Sequence, residues 1–201
     1  MTLRQLLPAS PAMATLSDPA RHRLSTGLIV VVGAAIMLNY IDRGAVSIAA
    51  PLIKDEMGLS ATAYGLVVSA FFWTYVPVLV LAGWLADRFG ARRLFILSTA
   101  GFIAASVLCG LAQNLEEMVL FRALQGATGA FISPLSQAAM IDTNKPSRQP
   151  QMMALWGMGI MIGPIMGPIL GGWLTQNWNW RWVFYVNVPL GAVALDRKST
   201  R

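Results

Sequence analysis

The chain has 201 residues, of which 56% are hydrophobic and 12% charged; soluble domains carry about 25% charged residues, so the composition is that of a membrane protein. A formal net charge of +6 would raise nucleic-acid binding in a soluble chain, but here the charges stand in short clusters between long uncharged runs and set topology instead. One cysteine, Cys109, and one histidine, His22, exclude a disulfide framework and a thiolate or imidazole zinc site, each of which needs several such ligands; no metal and no cofactor is expected.

Residues 1–23 hold Pro8, Pro11 and Pro19 without a sustained apolar run. They read as a disordered cytoplasmic tail and not as a secretory signal. His22, between Arg21 and Arg23, reads as solvated. Six helices follow, over about 24–50, 60–83, 94–113, 117–139, 151–174 and 182–195. A bilayer core of roughly 30 Å needs about 20 helical residues, and continuous apolar runs of this length are helices, since barrel strands alternate over about ten residues. The sixth run is short, and residues 196–201 form a polar end that reads as a truncation. No soluble domain fits anywhere in the chain.

The basic residues sort by side. Arg4, Arg21, Arg23, Arg88, Arg92, Arg93, Lys145, Arg148, Arg197, Lys198 and Arg201 fall on one side, Lys54 and Arg181 on the other. The positive-inside rule therefore places both ends in the cytoplasm of a multi-pass protein of the plasma membrane, the inner membrane in a bacterium. Trp178, Trp180 and Trp182, before the sixth run, fit an interfacial belt on the outer side; their alternation also fits a short extended hairpin. Cys109 lies in an apolar run and reads as packing.

Four motifs carry chemistry. In the first helix, Asn39-Tyr40-Ile41-Asp42-Arg43 sets a carboxylate beside a guanidinium in an apolar segment. Asp42 is a candidate protonation site and Arg43 a candidate anchor for an anionic substrate; alternatively both lie hydrated near the end of a shorter helix. Between the second and third helices, Gly83 through Arg93, with Asp87, Arg88, Gly90, Arg92 and Arg93, forms a tight basic turn on the cytoplasmic side. In the fourth helix, Arg122 precedes Gln125 and Gly126. An intramembrane arginine costs about 3 kcal/mol on insertion scales, so it faces a cavity or partner, or it snorkels beside Glu116 and Glu117. In the fifth, Gly159, Gly163, Gly167 and Gly171 recur every four residues beside Pro164, Pro168 and Gly172. This stripe lets another helix approach closely, within the transporter or in a dimer.

The loop from Gly83 to Arg93 resembles the signature of the major facilitator superfamily, as do Arg122, Gln125 and Gly126. Gly167, Pro168, Gly171 and Gly172 look like the motif of its drug:proton antiporters, and the segment from Ala154 to Pro189 is similar to their fourteen-helix branch. Leu38 to Pro51 with Ser69 to Tyr75 looks like the anion:cation symporter branch. The resemblance implies an all-α membrane protein, the amino-terminal six-helix half of a transporter built from two inverted three-helix units. It implies that the Gly83–Arg93 loop is a conformational latch and that Arg122 takes part in proton coupling. The expected partners are the lipid bilayer, a small-molecule substrate, protons, and either a missing carboxy-terminal half or a second copy. Proton-coupled export of drug-like compounds is the first functional expectation. Cation-coupled uptake of a small organic anion and a non-transporting fragment are the alternatives, and nothing suggests an enzyme.

Overall fold

The computed structural model describes residues 18–189 and Gly191, all helix and turn with no strand among them. The helices are α1 (Asp18–Met57), α2 (Ala61–Phe89), α3 (Ala91–Leu111), α4 (Leu115–Gly129), α5 (Ile132–Asp142), α6 (Gln149–Asn177) and α7 (Trp182–Tyr185), with a 3-10 turn at Pro146–Arg148 before α6. Helix begins again at residues 187–189. The polar end at 196–201 lies outside the described residues, as do residues 1–17 of the tail.

Several boundaries differ from the sequence reading for identifiable reasons. Residues 18–23, inside the segment read as a disordered tail, are helical and belong to α1. It runs on to Met57 and stops at Gly58, whose φ of 63° no ordinary side chain adopts readily. There Leu59 N–H reaches back to the Lys54 carbonyl at 2.8 Å. The tight turn expected over Gly83–Arg93 narrows to Gly90 alone, at φ 87°, with the helices running on to either side of it. The fourth span is divided at Ala130 and Phe131. Pro134 has no N–H for the Ala130 carbonyl, and the Gly129 carbonyl accepts from Asn39 Nδ2 at 3.1 Å. The extended hairpin at Trp178–Trp182 is replaced by a turn leading into α7.

Among the described residues three helical segments are long and apolar enough to cross a membrane: Ala61–Phe89, Ala91–Leu111 and Pro146–Asn177. α1, at 40 residues, is long enough at about 1.5 Å per residue but carries charges at both ends and at Asp42 and Arg43. The division at Ala130 and Phe131 leaves α4 and α5 each short of a full span. Six continuous spans are thus not what the described residues present.

Packing follows from small residues. α1 lies mainly on α6, α2 on α4, and α3 on α4 and α7. On α6 the stripe of Gly163, Gly167 and Gly171 meets Tyr40, Ile41, Gly44 and Ala45 of α1, with the Gly44 and Gly167 backbones in direct contact. Gly126 of α4 does the same against the Phe71 backbone of α2, where Thr74 Oγ1 donates to the Ala123 carbonyl at 2.6 Å. Gly159 faces open space and Gly172 barely touches Ile48, so the upper and flanking members of the expected stripe stay outside this contact. Large apolar side chains elsewhere point outward, among them Trp73, Val80, Met161 and Ile165, as they do on a surface meeting lipid or another apolar domain.

The connections after α1, α3 and α6 are stapled together. Arg181 donates to the Gly110 and Ala112 carbonyls at the end of α3, both at 2.8 Å, and to Glu56 Oε1 at 3.1 Å. Trp180 is buried, its Nε1 donating to Glu56 Oε2 at 2.8 Å, so of the three tryptophans only Trp178 and Trp182 are exposed as a belt requires. Arg181→Ala frees two helix-end carbonyls and should lower stability in detergent by about 1 to 3 kcal/mol. Glu56→Gln, which removes a half-exposed ion pair, should cost under about 1 kcal/mol. Thermal unfolding of the two variants side by side checks this ordering.

Candidate functional site

A buried polar cluster joins α1, α3, α4 and the segment after α7. Asp42 is fully buried and accepts three hydrogen bonds: from Arg122 Nη1 to Oδ2 at 2.9 Å, and from Gln125 Nε2 and Asn187 Nδ2 to Oδ1 at 2.9 and 2.8 Å. Arg122 Nη1 also donates to Gln125 Oε1 at 2.5 Å. Ser106 Oγ, on α3, accepts from Gln125 Nε2 at 2.7 Å and Asn187 Nδ2 at 3.1 Å. Cys109 Sγ lies 3.9 Å from Gln125 Oε1, so the thiol borders the cluster as well as packing. The spacing of Arg122 and Gln125, one turn apart, points both at one carboxylate across the helix interface.

The ion pair decides what this cluster can do. A lone buried carboxylate or guanidinium carries a desolvation penalty of several kcal/mol, offset only where geometry and further hydrogen bonds satisfy both partners. Asp42 meets that condition with three donors. The hydrated placement of Asp42 near a helix end and the snorkelling of Arg122 toward Glu116 and Glu117 are both overturned: Arg122 is 2% exposed and Asp42 not at all. The two glutamates serve the start of α4, where Glu117 Oε2 accepts from Gln113 N–H and Asn114 Oδ1 from Glu117 N–H, both at 2.9 Å, in the manner of a capping box.

Arg43, one residue on, points elsewhere. Its Nη2 donates to Asn39 Oδ1 at 2.8 Å, and its guanidinium carbon lies 4.4 to 5.8 Å from the ring centres of Tyr75, Phe71, Tyr40 and Phe72. Such faces attract a cation. Among the described residues no carboxylate pairs with Arg43, and its Nε is buried without a partner. Phe71 links the two centres, since Arg122 stands 4.7 Å from the same ring. With one carboxylate and two guanidiniums the pocket is formally cationic.

The structure therefore brings together Asn39, Asp42, Arg43, Arg122 and Gln125. It keeps the loop residues Gly83, Asp87, Arg88, Gly90, Arg92 and Arg93 apart from them and exposed. Asp87 and Arg88 occupy the last turn of α2 and Arg92 and Arg93 the first turn of α3; among the described residues Asp87 has no hydrogen-bond or ion-pair partner. The α6 stripe, with Pro164 and Pro168 against Gly44, holds α1 from the side opposite the cluster. Sequence reasoning missed Ser106, Asn187 and Phe71. Ser106 and Asn187 are small polar residues in apolar runs, and polar residues inside a membrane segment are themselves a signal.

The family model described as Major Facilitator Superfamily matches residues 32–195. The chain belongs to the major facilitator superfamily. It is 37% identical over 162 residues to the fatty acid resistance protein FarB of Neisseria gonorrhoeae, covering 81% of this chain and 32% of that protein. To the multidrug export protein EmrB of Haemophilus influenzae it is 37% identical over 164 residues, covering 82% and 32%; to that of Escherichia coli K12, 33% over 168 residues, covering 84% and 33%. The chain thus spans about a third of the length of these curated relatives. Among solved structures it is similar to a bacterial homolog of the human lysosomal transporter Spinster, inward-facing and unoccupied, with a TM-score of 0.70 at 24% identity over 90% of this chain and 42% of that one. A peptide transporter, POT, gives 0.73 at 16% identity, covering 87% and 40%. Both show the fold alone.

Proposed function

We propose that the chain is the amino-terminal half of a proton-coupled exporter of drug-like compounds, with Asp42 as the proton site and Arg122 as its ionic partner. The observation that carries this reading is the buried Asp42–Arg122 pair held by Gln125. Relatives named multidrug export proteins supply the substrate class. A proton reaching Asp42 cancels the charge that Arg122 is buried against, leaving an uncompensated guanidinium in a water-poor interior. Helix packing that was stable with the ion pair is then disfavoured, and this couples protonation to movement of one half against the other about a midplane site. Lipid surrounds the half, protons and substrate are its small partners, and a carboxy-terminal half or a second copy completes the path.

The six spans as two inverted three-helix units, with both ends cytoplasmic, belong to the same proposal. α1 with α2 and α3 forms one unit, and α4–α5 read as one interrupted span, α6 and the segment from α7 onward form the other. Reporter fusions after residues 90 and 146 should report cytoplasm, and fusions after 55 and 179 the exterior; an inverted or five-span pattern would contradict this. Asp87 and the arginines around Gly90 are then exposed at the cytoplasmic face, where a latch to the other half would form. Asp87→Asn in a full-length transporter should leave membrane levels unchanged while transport falls about tenfold. A fall in transport that merely tracks lost protein would assign Asp87 to folding.

A second reading rests on Arg43. A half-buried guanidinium that pairs with no carboxylate among the described residues, beside Asp42, suits cation-coupled uptake of a small organic anion. The sign of the effect of an imposed pH gradient on accumulation in vesicles separates the two: proton-coupled export predicts loss of the compound from the compartment that protons enter, and proton-coupled uptake predicts gain in that compartment.

A further inference from the structure

Asn187 is the one member of the polar cluster that lies beyond α7, and its amide is satisfied on one side only. Nδ2 donates to Asp42 Oδ1 at 2.8 Å and to Ser106 Oγ at 3.1 Å, while Oδ1 is buried with no partner. The residue itself is fully buried. All three donors to Asp42 make a second bond, Arg122 and Gln125 to each other and Gln125 and Asn187 to Ser106, but of the three only Asn187 has a buried acceptor atom left over.

The present orientation suits a carboxylate, which only accepts. Once a proton sits on Asp42 Oδ1, that atom becomes a donor, and an unrotated Asn187 would set N–H against O–H. A half-turn of the amide about its last bond exchanges the two ends. The carbonyl oxygen then stands where Nδ2 stands now, 2.8 Å from Asp42 Oδ1, inside the 2.5 to 3.0 Å range of an O–H···O bond. The Ser106 hydroxyl, which now accepts from Asn187, can turn and donate to the same oxygen. The orphaned atom changes from Oδ1 to Nδ2, so the number of buried unpaired groups is unchanged and the proton alone selects the orientation.

We propose that Asn187 is a positioning residue that reads the protonation state of Asp42 by reversing its amide, so that the last helical segment exchanges a donated for an accepted hydrogen bond at each proton cycle. The inference rests on Asp42 being the proton site. The groups facing Asp42 are Arg122 and Gln125 from α4, Ser106 and Cys109 from α3, Asn187 beyond α7, and Arg43 on its own helix; from α2, Tyr64 donates to the Val46 carbonyl at 2.8 Å and not to the carboxylate. Among the described residues no group but Asn187 combines contact with Asp42 and a free buried acceptor. The proton comes from water and returns to it, and no other bond forms or breaks.

The test is pH-difference infrared spectroscopy on the 201-residue chain in lipid bilayers, with asparagine labelled by carbon-13 at the side-chain carbonyl. Two signals are expected in the unsubstituted chain: a protonated-carboxyl band that vanishes in Asp42→Asn, and a labelled amide band with the same midpoint that vanishes in Asp42→Asn and in Asn187→Leu. In Asn187→Leu the carboxyl band should also move to higher wavenumber, toward a free acid, because its acceptor is gone. An Asp42 band that titrates with no labelled amide band following it in the unsubstituted chain would overturn the role of Asn187 and leave the proton site standing. Absence of any band lost in Asp42→Asn would overturn both. The decisive comparison uses the unsubstituted chain and Asp42→Asn, so it survives misfolding of Asn187→Leu.

Discussion

Arg122→Met should destabilise the half by about 3 to 5 kcal/mol, the loss seen when one member of a buried ion pair is removed and its partner is left charged. The expectation follows from Asp42 being fully buried and from Arg122 being its ionic partner, at 2.9 Å. Removing both charges together should be far milder: in Asp42→Asn with Arg122→Met, no charge of the pair remains to be desolvated, and the net loss should fall to about 1 to 2 kcal/mol. Thermal or denaturant unfolding of the single and double variants in detergent gives the coupling directly. If the double variant loses as much as the sum of the singles, the two residues act independently and the pair has no energetic meaning. Gradient-driven transport, by contrast, should vanish in all three variants of a full-length protein, because stability returns in the double variant and the proton site does not.

The second large effect is expected on α6. Gly167→Leu places a branched side chain where a Cβ alone would come 2.8 Å from the Ile41 carbonyl and 3.0 Å from the Gly44 Cα. Those are backbone atoms and cannot rotate away. Overpacking in a tight core typically costs about 1 to 3 kcal/mol, and a contact made by two backbones should lie at the upper end or beyond it. Gly171→Leu should behave alike against Ala45, whereas Gly159→Leu, which meets nothing within 4 Å, should be neutral in the isolated half. Equal tolerance of leucine at Gly159 and Gly167, measured as folded yield from membranes, would mean that α6 does not pack on α1 in the bilayer.

That contrast shows what was legible in the sequence. A four-residue glycine repeat announces close approach, but not which members make it: Gly163, Gly167 and Gly171 are set against α1 by its own small residues Gly44 and Ala45, and Gly159 lies past that crossing. The apolar runs marked the helices, yet the ends depended on local chemistry, namely the positive φ of Gly58 and Gly90 and the missing N–H of Pro134. Asp42, Arg122 and Gln125 could be singled out because charge inside an apolar run needs a partner. Their mutual pairing across 80 residues of sequence could not, because spacing carries information about one helix and not about which helices adjoin. Ser106 and Asn187 carried the weaker signal of an uncharged polar residue in an apolar run, and their place beside Asp42 was hidden for the same reason. Trp180 looked like its neighbours at 178 and 182, and only its bond to Glu56 separates a buried anchor from an interfacial belt.

The central claim is that Asp42, paired with Arg122, is where proton movement enters transport. Reconstituted vesicles holding a full-length transporter that contains this chain, given an imposed pH gradient and a fluorescent cationic amphiphile, test it most directly. The account predicts saturable, gradient-driven flux that Asp42→Asn abolishes while gradient-independent exchange of the same compound persists, because a neutral residue at position 42 still permits movement but no longer requires a proton. Gradient-driven flux that continues undiminished in Asp42→Asn would contradict it.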